Sequence, residues 1–330
     1  MSENNPGQTY DPVTGLPVNQ PAVQPAVETQ TPAAAPAANP KKVRIGFIFL
    51  AIVPTVVLMT IQTIAQLPFM VLSIIKIYNE GMSIDITDTY GLAEYITRDF
   101  MMNYAEYAYI IYSVIGLIVF FIWYYKGFVK KNPKVKLGQI FGLRSILAVV
   151  GTVVGLVLFL NAAFVIVYQL APKIIEDYNQ LMEDAGIGVD TIMMIIYALL
   201  LGPILEELCY RGVTFGFLKK ANVKPGIVIF ISALLFGIMH MNLVQGVYAT
   251  ILGLLLGFLR YKYRSVILTI TTHILFNIAG TFGEIGLEQM GITDNDGFTL
   301  ILGGFALFVL VFVIVLVNND KKAVNSSLEA

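Results

Sequence analysis

Cysteine, histidine and tryptophan are nearly missing from this 330-residue chain, which has one Cys, two His and one Trp. A lone cysteine, Cys209, can form no intrachain bridge, which excludes a disulfide scaffold and leaves the redox compartment unread. Charge is scarce as well. Lys, Arg, Asp and Glu make up 13% of the residues, about half the roughly 25% usual in soluble domains, and this excludes an ordinary water-soluble globule. The net charge of −1 offers no bulk attraction to nucleic acid, so no nucleic-acid partner is expected. Large apolar residues are rare in residues 1–40, where eight of the fourteen prolines lie among Ala, Gln, Asn and Thr. Such a stretch cannot bury enough surface to offset its ordering entropy. It is expected to be a disordered Pro/Ala-rich cytoplasmic tail over residues 1–43. Because the first apolar run starts only after residue 44, it is not read as a secretory signal.

What the chain has in abundance is apolar sequence, with 57% hydrophobic residues and a mean hydropathy of +0.75. Runs of membrane-spanning length recur over residues 45–75, 104–125, 146–171, 191–218, 226–242, 243–259, 265–282 and 298–317. The fold class is therefore an all-α polytopic membrane protein, a bundle of about eight transmembrane helices over residues 44–318, ending in a short tail over 319–330. The first run is over-long and carries Pro54 and Pro68, which predicts a kinked, tilted or partly interfacial helix. The fifth and sixth runs are parted only at His240-Met241-Asn242. Small-residue spacings at Gly151/Gly155, Gly212/Gly216 and Gly253/Gly257 point to close helix packing within one bundle. The run Trp123-Tyr124-Tyr125 reads as an interfacial aromatic belt.

Of the 21 Lys and Arg, 17 fall before the first run, between runs 2 and 3, 4 and 5, or 6 and 7, or after the last. The alternate connections hold only Lys76, Arg98 and Lys173, together with most of the acids. Cationic loops stay in the cytoplasm, so both termini are expected there, in an integral membrane protein of a bacterial plasma membrane with the lipid bilayer as its surroundings.

The remaining cation, Arg211, lies inside the fourth run, next to Glu206 and Glu207. The two histidines, His240 and His273, also fall within apolar runs. An ionisable residue in a span is costly and by default marks a function. Glu207 and Arg211, four residues apart, can pair and shield each other from lipid, whereas Glu206 points about 100° away and is free for other work. His273 and Asn277 share a helix face, and Phe236 stands one turn before His240. Pro203 removes a helical hydrogen bond just before the carboxylates. Counted from the nearest cations at about 1.5 Å per residue, Glu206, His240 and Asn277 lie roughly 20–24 Å deep and His273 about 14 Å. A carboxylate and an imidazole can activate water, while a second imidazole and an amide stabilise an oxyanion, which is the chemistry of amide hydrolysis. The same groups, Glu206, His240 and His273, could instead hold Zn²⁺ with an open fourth position. Cys209, lacking a basic, partly exposed setting, reads as packing.

Three motifs stand in order here: Glu-Glu-x-x-x-Arg at Glu206, Glu207 and Arg211, Phe-x-x-x-His at Phe236 and His240, and His-x-x-x-Asn at His273 and Asn277. In these the chain resembles the CPBP family, the CAAX-protease and bacteriocin-processing membrane proteins also called the Abi or type II CAAX prenyl endopeptidase group. The resemblance is strong over about residues 190–282 and elsewhere rests on topology. It implies an intramembrane endopeptidase, metallo- or glutamate-type, acting on a membrane-associated or lipidated protein or peptide. It further implies Glu206 as general base, His240 as its partner, His273 and Asn277 at the oxyanion, and Glu207 with Arg211 as a structural or substrate-orienting pair. Substrate is expected to arrive laterally or from the cytoplasmic face.

Two other classes fit part of the pattern. A non-catalytic or self-immunity protein of the same fold would bind peptide and be indifferent to loss of Glu206. A proton-coupled transporter would use Glu and His as a relay, but such proteins tend to carry polar sites in both halves, and here the intramembrane charge lies in runs 4 to 7.

Overall fold

The computed structural model describes residues 11–14, 42–80, 89–130, 140–184, 191–289 and 295–320. The chain divides into two units, 1–41 and 42–330. In the first, a turn at residues 11–14 is held by Asp11, whose carboxylate accepts from the backbone N–H groups of Val13 and Thr14. The rest of the expected N-terminal tail up to residue 41, and the C-terminal one beyond residue 320, lie outside the described residues.

The second unit is helical throughout its described elements: α1 (Ile45–Asn79), α2 (Thr89–Asn103), α3 (Ala105–Val129), α4 (Leu143–Leu170), α5 (Pro172–Asp184), α6 (Ile192–Lys220), α7 (Pro225–Ile238), α8 (Leu243–Tyr263), α9 (Val266–Gln289) and α10 (Asp296–Asn318). Among the described residues, seven helices are long and apolar enough to cross a membrane: α1, α3, α4, α6, α8, α9 over residues 266–283, and α10. Their outward faces carry large exposed apolar side chains such as Ile64, Ile118, Phe305 and Phe308, which only lipid covers without cost. The chain is an all-α integral membrane protein.

The fifth expected span differs from its sequence reading. Helix α7 stops at Ile238 after 14 residues, about 21 Å against a hydrocarbon core of roughly 30 Å. The chain then turns through Met241, which adopts a positive φ of 57°. Asn242 restarts the helix as an N-cap, its side chain accepting from Gln245 N at 2.8 Å. His240 therefore sits in the turn rather than on a helix. In α1, a turn at Ala51-Ile52 divides Ile45–Leu50 from Val53–Asn79, and Pro54 occupies the first turn of the second piece, where no N–H is missed.

The small-residue spacings are packing sites. Added Cβ atoms would meet Val313 and Leu310 at Gly151 and Gly155, Tyr124 and Phe128 at Gly212 and Gly216, and Ala233 and Ile229 at Gly253 and Gly257. The aromatic run is partly absorbed into the same packing. Tyr124 lies on Gly212, and Trp123 packs edge-on to Phe217 at 6.0 Å, while Tyr125 stays exposed. The tightest approach is at Gly237, where a Cβ would overlap Thr250 Oγ1 and come within 2.5 Å of the Gly246 carbonyl oxygen. Gly237→Ala is expected to force α7 from α8 at a cost of about 1–3 kcal/mol, read as a lower unfolding temperature in detergent. An unchanged temperature would show that the hairpin absorbs a methyl group.

Contacts gather the helix ends into two groups. At the cation-rich end, Arg44 N donates to Ala221 O, Lys220 to Gly127 O, Arg144 to Asn319 O and Tyr263 to Asp320. At the acid-rich end, Lys76 pairs with Asp99, Thr191 donates to Glu106 and Gln169 to Asp296.

Candidate active site

The site is built where α6 departs from regular α-helical geometry. Two π turns, Tyr197–Leu201 and Leu208–Thr214, flank the short α-helical stretch Gly202–Glu207 that carries both carboxylates. A π turn shifts each N–H one carbonyl further back, and Gly202 N–H accordingly reaches Tyr197 O. The next N–H in that pattern would belong to Pro203, which has none. Ala198 O is thereby left for a side chain, and Asn277 Nδ2 donates to it at 2.9 Å from α9. Further along, Ser232 donates to Tyr210 O at 3.1 Å, and Arg260 Nε to Arg211 O at 2.9 Å. Pro203 thus opens the backbone as its position suggests, and neighbouring helices cover the exposed carbonyls.

Removing the Asn277 amide should therefore be felt in stability. Asn277→Ala is expected to lose about 1 kcal/mol, and Asn277→Asp more, because an oxygen would then face the Ala198 oxygen. Thermal unfolding in detergent measures both. Equal stabilities of wild type and Asn277→Asp would remove this contact from the account.

The two carboxylates have different surroundings. Glu207 is wholly buried, and its Oε1 receives Arg211 Nη1 at 2.8 Å, the pair expected from their spacing. Arg211 is also wholly buried. Its Nη2 donates to Gly253 O at 3.1 Å, and its guanidinium lies 4.6 Å from the centre of the Phe236 ring. Paired with Arg211, Glu207 accepts from His273 Nδ1 at 3.2 Å. That bond fixes the His273 ring with its Nε2 turned toward Glu206 Oε2, 3.7 Å away. Glu206 keeps 19% side-chain exposure and lines a cavity of about 840 Å³.

His240 and Asn277 line the same cavity. His240 Nδ1 lies 2.9 Å from Phe236 O, in the last turn of α7, so it carries the proton and donates there. The Phe236 ring stands edge-on to both imidazoles, at 5.1 Å from His240 and 5.6 Å from His273, and walls off both. The imidazole nearest Glu206 is thus that of His273, at 3.7 Å, where the resemblance had implied His240 as the partner. Asn277, expected at the oxyanion, has one N–H committed to Ala198. Cys209 is buried, as a packing residue would be.

Sequence reasoning did not find the roof. Amphipathic α5 places Ile175, Tyr178, Asn179 and Met182 along the cavity, with Tyr178 Oη 3.4 Å from Tyr248 Oη. Burial pushes the Tyr178 phenol above its ordinary range, with the Tyr248 contact pulling the other way, so at neutral pH it stays protonated. Alternating charged and apolar residues in 172–184 at helical spacing were the available signal.

A metal would need three donors converging. Glu206 and His273 approach each other, but His240 turns its Nδ1 to the Phe236 carbonyl. Among the described residues, no three His, Cys, Asp or Glu side chains form a group able to hold an ion. The donors as arranged do not fit Zn²⁺.

Residues 188–279 match the family described as "Type II CAAX prenyl endopeptidase Rce1-like". This polar-bearing core is similar to that family, whose motifs the CPBP resemblance had picked out. The match encloses all three motifs. A curated protein of Bacillus subtilis (strain 168), named "Putative membrane peptidase YdiL", is 30% identical to the chain over 122 residues, or 35% of this chain and 47% of that protein. The chain thus spans about half the length of the curated relative it matches. No solved structure matches the chain at a significant level. The roof helix α5 lies outside the residues matched by the family model.

Proposed function

We propose that the protein is an intramembrane endopeptidase that hydrolyses a peptide bond with water activated by Glu206. The observation that carries this reading is the division of labour between adjacent carboxylates. Glu207 is neutralised by Arg211 in the packed interior, while Glu206 is left at a cavity wall with an oriented imidazole 3.7 Å away. The family match and the name of the Bacillus relative point the same way.

In this mechanism Glu206 takes a proton from water as its oxygen attacks the carbonyl carbon. The proton passes to His273 Nε2, and the resulting imidazolium lies between two carboxylates, its charge stabilised by Glu207. His273 then donates toward the tetrahedral oxyanion, with the second N–H of Asn277 beside it. As the C–N bond breaks, the proton held on His273 Nε2 passes to the departing amine and His273 returns to its neutral form. His240, with its Nδ1–H tied to Phe236 O, offers a neutral Nε2 across the cavity to accept a hydrogen bond from the hydroxyl of the intermediate. Phe236 shields both rings from water. No step runs through a metal, although Zn²⁺ dependence is a measurable alternative. Both termini are proposed to be cytoplasmic, by the distribution of Lys and Arg.

The test compares newly formed peptide termini in membranes containing wild type or Glu206→Gln, matched for expression, with and without a chelator. Termini seen only with wild type and unaffected by chelation are expected. Their loss on chelation, reversed by Zn²⁺, would replace this mechanism with a metal one. Identical termini from both proteins would favour a peptide-binding or immunity role.

A further inference from the structure

We infer that the cavity holding Glu206 opens toward the extracytoplasmic side, and that its occupant is an internal stretch of neutral or basic peptide presented there. This rests on the peptidase reading for the nature of the occupant and on the geometry for the direction.

The direction follows from which part of each helix lines the cavity. Helix α4 contributes residues 157–168, toward its Leu170 end, and α6 contributes residues 197–206, from the half nearest Ile192. His240 lies just past the end of α7, Gln245 is in the first turn of α8, and Asp296 and Thr299 begin α10. All of these ends belong to the acid-rich group, and α5 roofs the cavity from the same side. At the opposite end the bundle is filled. Tyr210, Arg211, Leu218 and Leu256 are wholly buried, and Arg211 is locked to Gly253 O and Arg260. A peptide coming from the cation-rich face would have to displace this packed layer, whereas on the acid-rich face the described residues in its path are α5 and the helix ends. The cytoplasm retains cationic loops, so the open face is extracytoplasmic, the reverse of the cytoplasmic access expected above.

The chemistry of the occupant follows from the lining. Among the described residues it includes Glu206 and Asp296 but no Lys or Arg, with amides at Asn161, Asn179 and Gln245. An anionic, low-dielectric cavity attracts basic or neutral side chains and repels carboxylates. A free C-terminal carboxylate would find no cation to hold it. The amides can pair with the backbone of an extended chain, which favours an internal peptide bond over trimming at a C-terminus.

The experiment uses the full chain in right-side-out membrane vesicles and a membrane-impermeant maleimide. Native protein, its Cys209 buried, is the blank. Asn179→Cys and Thr299→Cys report the cavity, and Lys224→Cys reports the cation-rich end. Labelling after denaturation controls for expression. The cavity cysteines are expected to label in intact vesicles, with labelling of Lys224→Cys lost until the vesicles are opened. Labelling of the cavity cysteines only after opening would overturn the inference, whatever cleavage is found. In the same membranes, termini dependent on Glu206 are expected on extracytoplasmic segments, within stretches free of Asp and Glu. Glu206-dependent termini confined to cytoplasmic segments, or to removal of C-terminal residues, would also overturn it. External labelling with no Glu206-dependent termini would support the direction of opening and sink the peptidase reading, so the two ideas fail separately.

Discussion

Arg211→Met should lower the stability of the folded protein by about 3–5 kcal/mol, the cost of leaving a buried partner charge uncompensated. Glu207 has no exposure through which water could take over from the guanidinium, and the Arg211 side chain also ties α6 to α8 at Gly253 O. The expected result is a much lower yield of folded protein and a lowered unfolding temperature in detergent. Adding Glu207→Gln to Arg211→Met should recover most of the loss, since neutralising both partners removes the stranded charge. The double variant should still be a poor enzyme, because the carboxylate that fixes the His273 tautomer is gone. If the single variant unfolds at the wild-type temperature, the pair is not what holds this layer together.

Glu206→Gln should behave in the opposite way. The side chain faces the cavity with 19% exposure, so the isosteric amide is expected to change stability by no more than about 0.5 kcal/mol. The rate of peptide cleavage, however, should fall by about 10²–10⁴-fold, the usual worth of a positioned general base. Single-turnover cleavage by wild type and variant at matched fold content measures this. A variant that cleaves at the wild-type rate would remove Glu206 from the mechanism. Adjacent carboxylates with separate effects, one on stability and one on rate, are hard to reconcile with a simple peptide-binding protein, which would not need the second.

Much of this was legible in the sequence because lipid imposes strict local rules. Runs long enough to cross the bilayer set the helices, and the scarcity of intramembrane charge made Glu206, Glu207, Arg211, His240 and His273 conspicuous. The Glu207–Arg211 pair was readable because residues four apart share a helix face. The close glycine contacts followed from small-residue spacing.

The partner of each imidazole was not legible. His240 lies past the end of a helix that stops early, and helical spacing cannot place a side chain in a turn. Which histidine meets Glu206 depends on how α6, α7 and α9 cross, and His273 reaches it because the ring is pinned to Glu207 from the neighbouring helix. Asn277 was read as free to donate to substrate, since no local rule shows that a π turn and Pro203 together strand Ala198 O a helix away. The roof over the cavity and the face on which it opens belong to the same class. Composition and periodicity determined that this chain lives in a membrane and which residues are out of place there, because burial in lipid penalises each residue separately. Only the tertiary structure decided which of those residues meet and from which side they are reached, because contacts between helices and the shape of the space they leave depend on several elements at once.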